Sequence, residues 1–330
     1  MRLGPNARLC RCGLALLVAI SLAAATSSAR PRPAIAARVQ NLTESQLAAD
    51  LRAGASIRSV PPDLEPPLAA VRADRPRIET NGCFVRDIGV VSETCAYGDT
   101  ASSTVTVLFG DSHAAAWFPA LDTISKQQHW RLVVLAKAGC PAEEVNVFRG
   151  GGVYTSCAEW RSNAMQRIAT LHPALVVVSS SDYPGSTPLD GVPTGFGGVW
   201  QDGTAAIFGF LRQSAGHVVY ISDIPRLKES APHCLSSHMS DVPRCTVARS
   251  ASVLSPELKA AEFRLAQVEQ IAAIDPTSWF CTRTTCPVIV GHILIYGDTQ
   301  HMLPAWSRFL APVLTRRLIP LMKSEGSALR

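Results

Sequence analysis

From about residue 100 the chain settles into one repeating pattern, a short, mainly apolar run followed by a longer amphipathic stretch. The runs cover 105–109, 132–135, 175–178, 218–221 and 271–274. Each is aliphatic or β-branched and too short to stand as a helix, as expected of strands buried on both faces of a parallel sheet. Helical candidates lie between them, near 113–128, 157–170, 203–214 and 256–268, and a last one around 305–319 closes the series. Strand and helix alternating in this way predict an α/β fold, a parallel sheet with helices on both faces. With 330 residues, 47% of them hydrophobic, the chain has enough apolar material for one large domain, placed at 100–325. The Gly/Pro-rich stretch 184–203 reads as a long surface loop beside a binding face.

The first 29 residues read as an export signal. Arg2, Arg8 and Arg11 precede an apolar run over 14–25, which small residues follow. That run suits a signal-peptide core and falls short of the roughly 20 apolar residues of a bilayer span. Cleavage after Ala25 or Ala29 fits the small-x-small rule, and an uncleaved anchor is the other reading. Residues 30–99 are expected to form a Pro/Ala-rich arm with one short helix. Thr43 and Gln46 make a capping box there, Leu42 and Leu47 a hydrophobic staple, and Gly54 a stop. The prolines at 61, 62, 66 and 67 exclude regular structure just beyond.

Cysteine usage points to the same oxidising compartment. Cys10 and Cys12 fall in the leader, and eight remain. They group along the chain as Cys83 with Cys95, Cys140 with Cys157, Cys234 with Cys245, and Cys281 with Cys286. Sequence alone does not choose among the pairings that eight cysteines allow. Nearest-neighbour pairing is the expectation, because each bridge would staple one loop. Zinc is the rival use, but no CxxC or clustered Cys/His spacing supports it, and neither metal nor cofactor is expected. His233 and His238 are too scattered to change that. The formal net charge is +5, three of the arginines lie in the leader, and no Lys/Arg-rich run exists. Nucleic acid is therefore not an expected partner.

Two short segments carry the chemistry. The first apolar run ends in Gly110-Asp111-Ser112-His113, directly before a helix. At the carboxyl end of a parallel strand, beside a helix N-terminus, a serine faces the ligand crevice with its own N–H available to an oxyanion. The second segment is Tyr296-Gly297-Asp298-Thr299-Gln300-His301. A serine hydroxyl needs a base, and His301 suits that task, with Asp298 one tight turn away to fix its tautomer. Read singly, the first motif is a plain turn or cap, Asp298 an N-cap and His301 a surface histidine. Their co-occurrence carries the argument. Asp111 reads as a turn-stabilising residue, His113 as structural or a substrate contact, and Trp117 and Trp160 as core.

The combination resembles SGNH hydrolases, in which Gly-Asp-Ser follows the first strand and Asp-x-x-His lies near the domain's end. More narrowly, it resembles the extracytoplasmic SGNH domain of membrane O-acyltransferases that acetylate cell-envelope polysaccharides. Gly110-Asp111-Ser112-His113, Lys137-Ala138-Gly139-Cys140-Pro141, the Cys281/Cys286 pair and Asp298-Thr299-Gln300-His301 carry the likeness. It implies a flavodoxin-like three-layer sandwich with a five-stranded parallel sheet in the order 2-1-3-4-5. It also implies a triad of Ser112 as nucleophile, His301 as general base and Asp298 as its orienter. The family's usual Asn after the third strand is missing, since Val178 leads into Ser179-Ser180-Ser181-Asp182. The oxyanion hole then falls to the Ser112 and Gly139 N–H groups, with a Ser180 or Ser181 hydroxyl as a third donor. The membrane machinery of the fused proteins is absent as well.

The resemblance implies serine-dependent O-acyl transfer, of acetyl in the first place, or ester hydrolysis on a cell-envelope carbohydrate outside the cytoplasm. A glycan acceptor, an acyl donor and a membrane acyltransferase would be the partners. The alternative is a catalytically silent SGNH-fold protein that binds carbohydrate or docks on such an acyltransferase. A secreted lipase-like esterase is disfavoured by the lack of a large apolar segment.

Overall fold

The five apolar runs become five adjacent strands of a seven-stranded sheet. The computed structural model describes residues 41–182, 196–253 and 255–323, so the expected leader lies outside the described residues. The strands of this sheet are β1 (Phe84–Val85), β2 (Ala96–Gly98), β3 (Val105–Gly110), β4 (Arg131–Lys137), β5 (Leu175–Ser179), β6 (His217–Ile221) and β7 (Ala272–Ile274). They lie in the order β1-β4-β3-β5-β6-β7, with β2 also paired to β4. Only β2 runs antiparallel. Numbered among themselves, the five expected strands stand in the order 2-1-3-4-5.

Alternate residues of these strands enter two separate cores. Leu108, Val134, Val177 and Val219 pack on one face, and Val107, Phe109, Val133, Val176 and Tyr220 on the other. This period-2 partition of apolar side chains puts helices on both faces. Among the described residues the six longer helices are α1 (Glu44–Gly54), α2 (Ser112–Gln128), α3 (Thr155–Leu171), α4 (Phe196–Ser214), α5 (Pro256–Val268) and α6 (Pro304–Lys323). Helices α1, α2 and α6 belong to the first core, and α3, α4 and α5 to the second. Trp117 and Trp160 are fully buried, one in each. Helix α4 begins at Phe196, so the last part of the expected 184–203 loop is helical.

The arm is more than a tether. Its capping box forms as the sequence predicts, with Thr43 Oγ1 accepting from Gln46 N–H and Gln46 Oε1 accepting from Thr43 N–H (2.8 Å). Gly54 is the last residue of α1 and does not act as a left-handed cap. A Cβ there would lie 2.6 Å from Ile289 O, so close packing explains the glycine. Leu42, Leu47, Leu51, Leu64, Val71 and Ile78 join the core of the domain. Strands β1 and β2, from the same stretch, extend the sheet beyond β4. With two and three residues they are too short to show periodicity. The four cysteine pairs are bridged as nearest neighbours, and Cys83–Cys95 ties β1 to β2.

Candidate active site

Strand β3 occupies the centre of the sheet, and its last residue decides where the serine stands. Gly110 has φ +144°, and a Cβ on it would lie 1.9 Å from Ser179 O of β5. Only glycine fits that approach. The chain then turns at Asp111, whose Oδ1 accepts from His113 N–H (2.8 Å) as an N-cap, while its Oδ2 accepts from Ser181 N–H (3.0 Å). Asp111 is thus the turn-stabilising residue the sequence suggests. Ser112 opens α2, at the positive end of the helix dipole.

The histidine arrives from the other end of the chain. Asp298 Oδ1 accepts from the Gln300 and His301 N–H groups (2.8 and 2.7 Å), closing the tight turn ahead of α6. Its Oδ2 accepts from His301 Nδ1 at 2.7 Å, and His301 Nε2 accepts from Ser112 Oγ at 2.9 Å. Burial alone would raise the Asp298 pKa. Its bonds with the His301 ring and the two N–H groups hold it well below the carboxylate range instead. The carboxylate therefore stays ionised and fixes the tautomer that leaves Nε2 free to take a proton. Helix α6 packs along α2, and Ser307 Oγ accepts from Ala120 N–H (3.1 Å) just past Pro119. That bond ties the N–H next to the proline to the neighbouring helix and holds the two helices together.

A second His–Asp pair backs the first. His113 is buried, its Nδ1 2.5 Å from Asp223 Oδ1, and its ring meets that of His301 edge-on, with centroids 4.9 Å apart. Burial disfavours the charged imidazole, but Asp223 outweighs that and raises its pKa. Burial likewise disfavours the Asp223 anion, which His113 and Arg226 stabilise in turn. Arg226 ties three segments together. It donates to Asp223 Oδ2 (2.9 Å), Ser181 Oγ (2.6 Å) and Gln300 Oε1 (2.7 Å). Sequence reasoning missed Asp223 and Arg226. The available signal was position, since Asp223 stands two residues past the carboxyl end of β6, where an open parallel sheet presents its ligand groups.

The other predicted site residues lie along the same sheet edge. Register pairs Gly110 with Ala136 of β4 and Ser179 of β5, so Gly139 and Ser180 follow the strands on either side. Gly139 has φ +60° and open space where a side chain would be. Its turn is held by the Cys140–Cys157 bridge and by Lys137, a buried cation donating to Asp87 O (2.6 Å) and Gly89 O (2.7 Å) of the arm. Ser180 is buried, and its Oγ accepts from Ala142 N–H (2.9 Å). Beside Ser112 and His301 lies a cavity of about 20 Å³, walled partly by Val71, Asp74, Pro76 and Glu79 of the arm. Among the described residues, no group of three or more His, Cys, Asp or Glu is placed to hold a metal ion.

A three-layer α/β sandwich with Gly-Asp-Ser after its first full strand and Asp-x-x-His near its end defines a protein of the SGNH class. A family model for the SGNH domain (fused to AT3 domains) matches residues 82–316, more than two thirds of the chain. The chain belongs to that family. Among solved structures, the lipopolysaccharide acetyltransferase periplasmic domain of Salmonella ser. Paratyphi A shares the fold, with a TM-score of 0.56 at 14% identity. The match covers 73% of this chain and 93% of that one. A Bacillus subtilis protein aligns more loosely, with a TM-score of 0.41, 16% identity, and 68% of this chain and 57% of that one covered. No curated protein matches the sequence.

Proposed function

We propose that the chain is a serine-dependent O-acyltransferase or esterase acting on a cell-envelope carbohydrate outside the cytoplasm. The observation that carries this reading is the continuous line from Ser112 Oγ through the His301 ring to the Asp298 carboxylate, with bonds of 2.9 and 2.7 Å. Ser112 attacks the acyl carbonyl while His301 Nε2 takes its proton. The tetrahedral intermediate collapses to an acyl-enzyme, and the same proton passes to the leaving group. A sugar hydroxyl, or water, is then deprotonated by His301 and takes the acyl group, restoring Ser112.

The Ser112 and Gly139 N–H groups are the proposed oxyanion donors. Ser180 is a third candidate, through its hydroxyl. Two hydrogen-bond donors suffice for an active site, although each donor absent from such a hole typically costs about 3 kcal/mol of transition-state stabilisation. Carbohydrate as acceptor is supported by the family's fusion to AT3 domains and by the acetyltransferase neighbour. The same fusion supports a membrane acyltransferase as partner and acyl source. The disulfides and the periplasmic neighbour favour an extracytoplasmic site of action, and among the described residues no helix is long and apolar enough to cross a membrane.

The test is covalent labelling with a fluorophosphonate together with turnover of p-nitrophenyl acetate. The chain should label at Ser112 and hydrolyse the ester, and Ser112→Ala should abolish both while its circular dichroism stays unchanged. Turnover that survives the substitution refutes the assignment. An unlabelled, inactive wild type would leave the fold as a binding or docking module.

A further inference from the structure

The cavity beside the nucleophile is built by two parts of the chain with different standing. Ser112, Ala116, His301, Met302 and Leu303 come from the matched domain, residues 82–316. Val71, Asp74, Arg75, Pro76 and Glu79 close the other side, and all five precede that domain. We infer that the arm segment 71–79 sets the acyl-chain specificity of this site by limiting the space beside Ser112 to a single methyl-sized group. The inference rests on the serine-enzyme reading above and deepens it.

Size is the first argument. A cavity needs about 10–15 Å³ to hold one water, and this one offers about 20 Å³. A methyl group is close to water in bulk, so an acetyl group fits, and a longer chain must either press on the walls or leave through the open side. Rigidity is the second, because a wall selects by size only if it does not yield. Val71 and Pro76 are buried, and Ile78 is inserted fully into the core. Successive backbone bonds from Asp74 N–H to Ala70 O (3.1 Å) and Val71 O (3.2 Å) fix the turn between them. Farther along the arm, Cys83–Cys95 fastens it to the sheet. The third argument is lining. Val71, Ala116, Met302 and Leu303 present apolar surface, while Asp74 adds a half-buried carboxyl whose pKa burial raises despite Arg308. Apolar walls suit the acyl methyl, and the carboxyl suits a sugar hydroxyl.

The experiment compares kcat/KM for p-nitrophenyl acetate, butyrate and hexanoate, with active sites counted by fluorophosphonate labelling. The wild type should favour acetate over butyrate by about tenfold or more, the usual worth of methylenes that a pocket refuses. Val71→Ala removes two methyl groups from the arm's wall and should raise the butyrate-to-acetate ratio about tenfold. Val71→Ile fills the same space and should move the ratio the opposite way. Because each ratio is internal to one preparation, partial misfolding does not imitate the effect. A wild type that labels at Ser112 yet turns over butyrate as fast as acetate overturns this inference and leaves the serine-enzyme reading intact. So does a ratio that neither substitution moves. A wild type inert to the label overturns both.

Discussion

Glu143 offers a quantitative test of the loop that carries the proposed oxyanion turn. It is fully buried, three residues past Cys140. Burial, reinforced by the neighbouring Glu262 carboxyl, pushes its pKa up to about 8 from the ordinary 4.5. In the unfolded chain it titrates near the ordinary value. Between those limits the native state holds a proton that the unfolded chain has released, so stability falls as pH rises through the interval. At about 1.4 kcal/mol per unit, the loss is bounded at about 5 kcal/mol. For a chain of this length 1 kcal/mol corresponds to roughly 2 °C in Tm, so the bound is about 10 °C. Glu143→Gln keeps the shape of the neutral acid and cannot ionise. Scanning calorimetry from pH 5 to 9 should show the wild type losing several degrees that the variant retains, with the two curves meeting near pH 5. Glu262 and Asp182 are also raised by burial, so some slope will remain in both proteins. The gap between the curves isolates Glu143. Parallel curves across the whole range would refute the claim that this carboxyl is buried as a neutral acid.

Further expectations follow from the site itself. Asp298→Asn should lower kcat on p-nitrophenyl acetate by about 10⁴-fold with little change in fold, because the amide disfavours the required His301 tautomer; a loss below tenfold would remove Asp298 from the triad. Replacing Cys140 and Cys157 together by serine opens a loop of 17 residues. Chemical denaturation should then show about 3 kcal/mol less stability. kcat should fall as well, since the Gly139 turn loses its staple, and an unchanged kcat would argue that Gly139 donates nothing to the oxyanion.

The sheet was legible because burial on both faces leaves an unmistakable mark. The runs containing Val134, Val177 and Val219 are almost wholly apolar, and the one containing Val107 is broken only by Thr106, a pattern that no surface strand or loop has a reason to show. Helix ends were nearly as clear where a cap is written into the chain, as at Thr43 with Gln46. Ser112, His301 and Asp298 stood out as candidates because each sits in a local motif whose position relative to a strand or helix can be read. The unread features share one property, that their meaning lies in contacts between distant segments. Asp223 and Arg226 look like ordinary loop charges until the fold puts them against His113, Ser181 and Gln300. Gly54 resembles a helix stop, and only the approach of Ile289 reveals why a side chain is excluded. The arm was underestimated for the same reason. Its strands are too brief to show a period, and the place of Val71 beside Ser112 emerges only once the segment packs on the domain.

The hydroxyl and the imidazole that accepts its proton stand 189 positions apart in the chain. A nascent, half-threaded or nicked polypeptide lacking the last sixty residues therefore carries a serine no more reactive than any other. On the proposed mechanism the protein is born disarmed, and arming it coincides with the docking of its final helix.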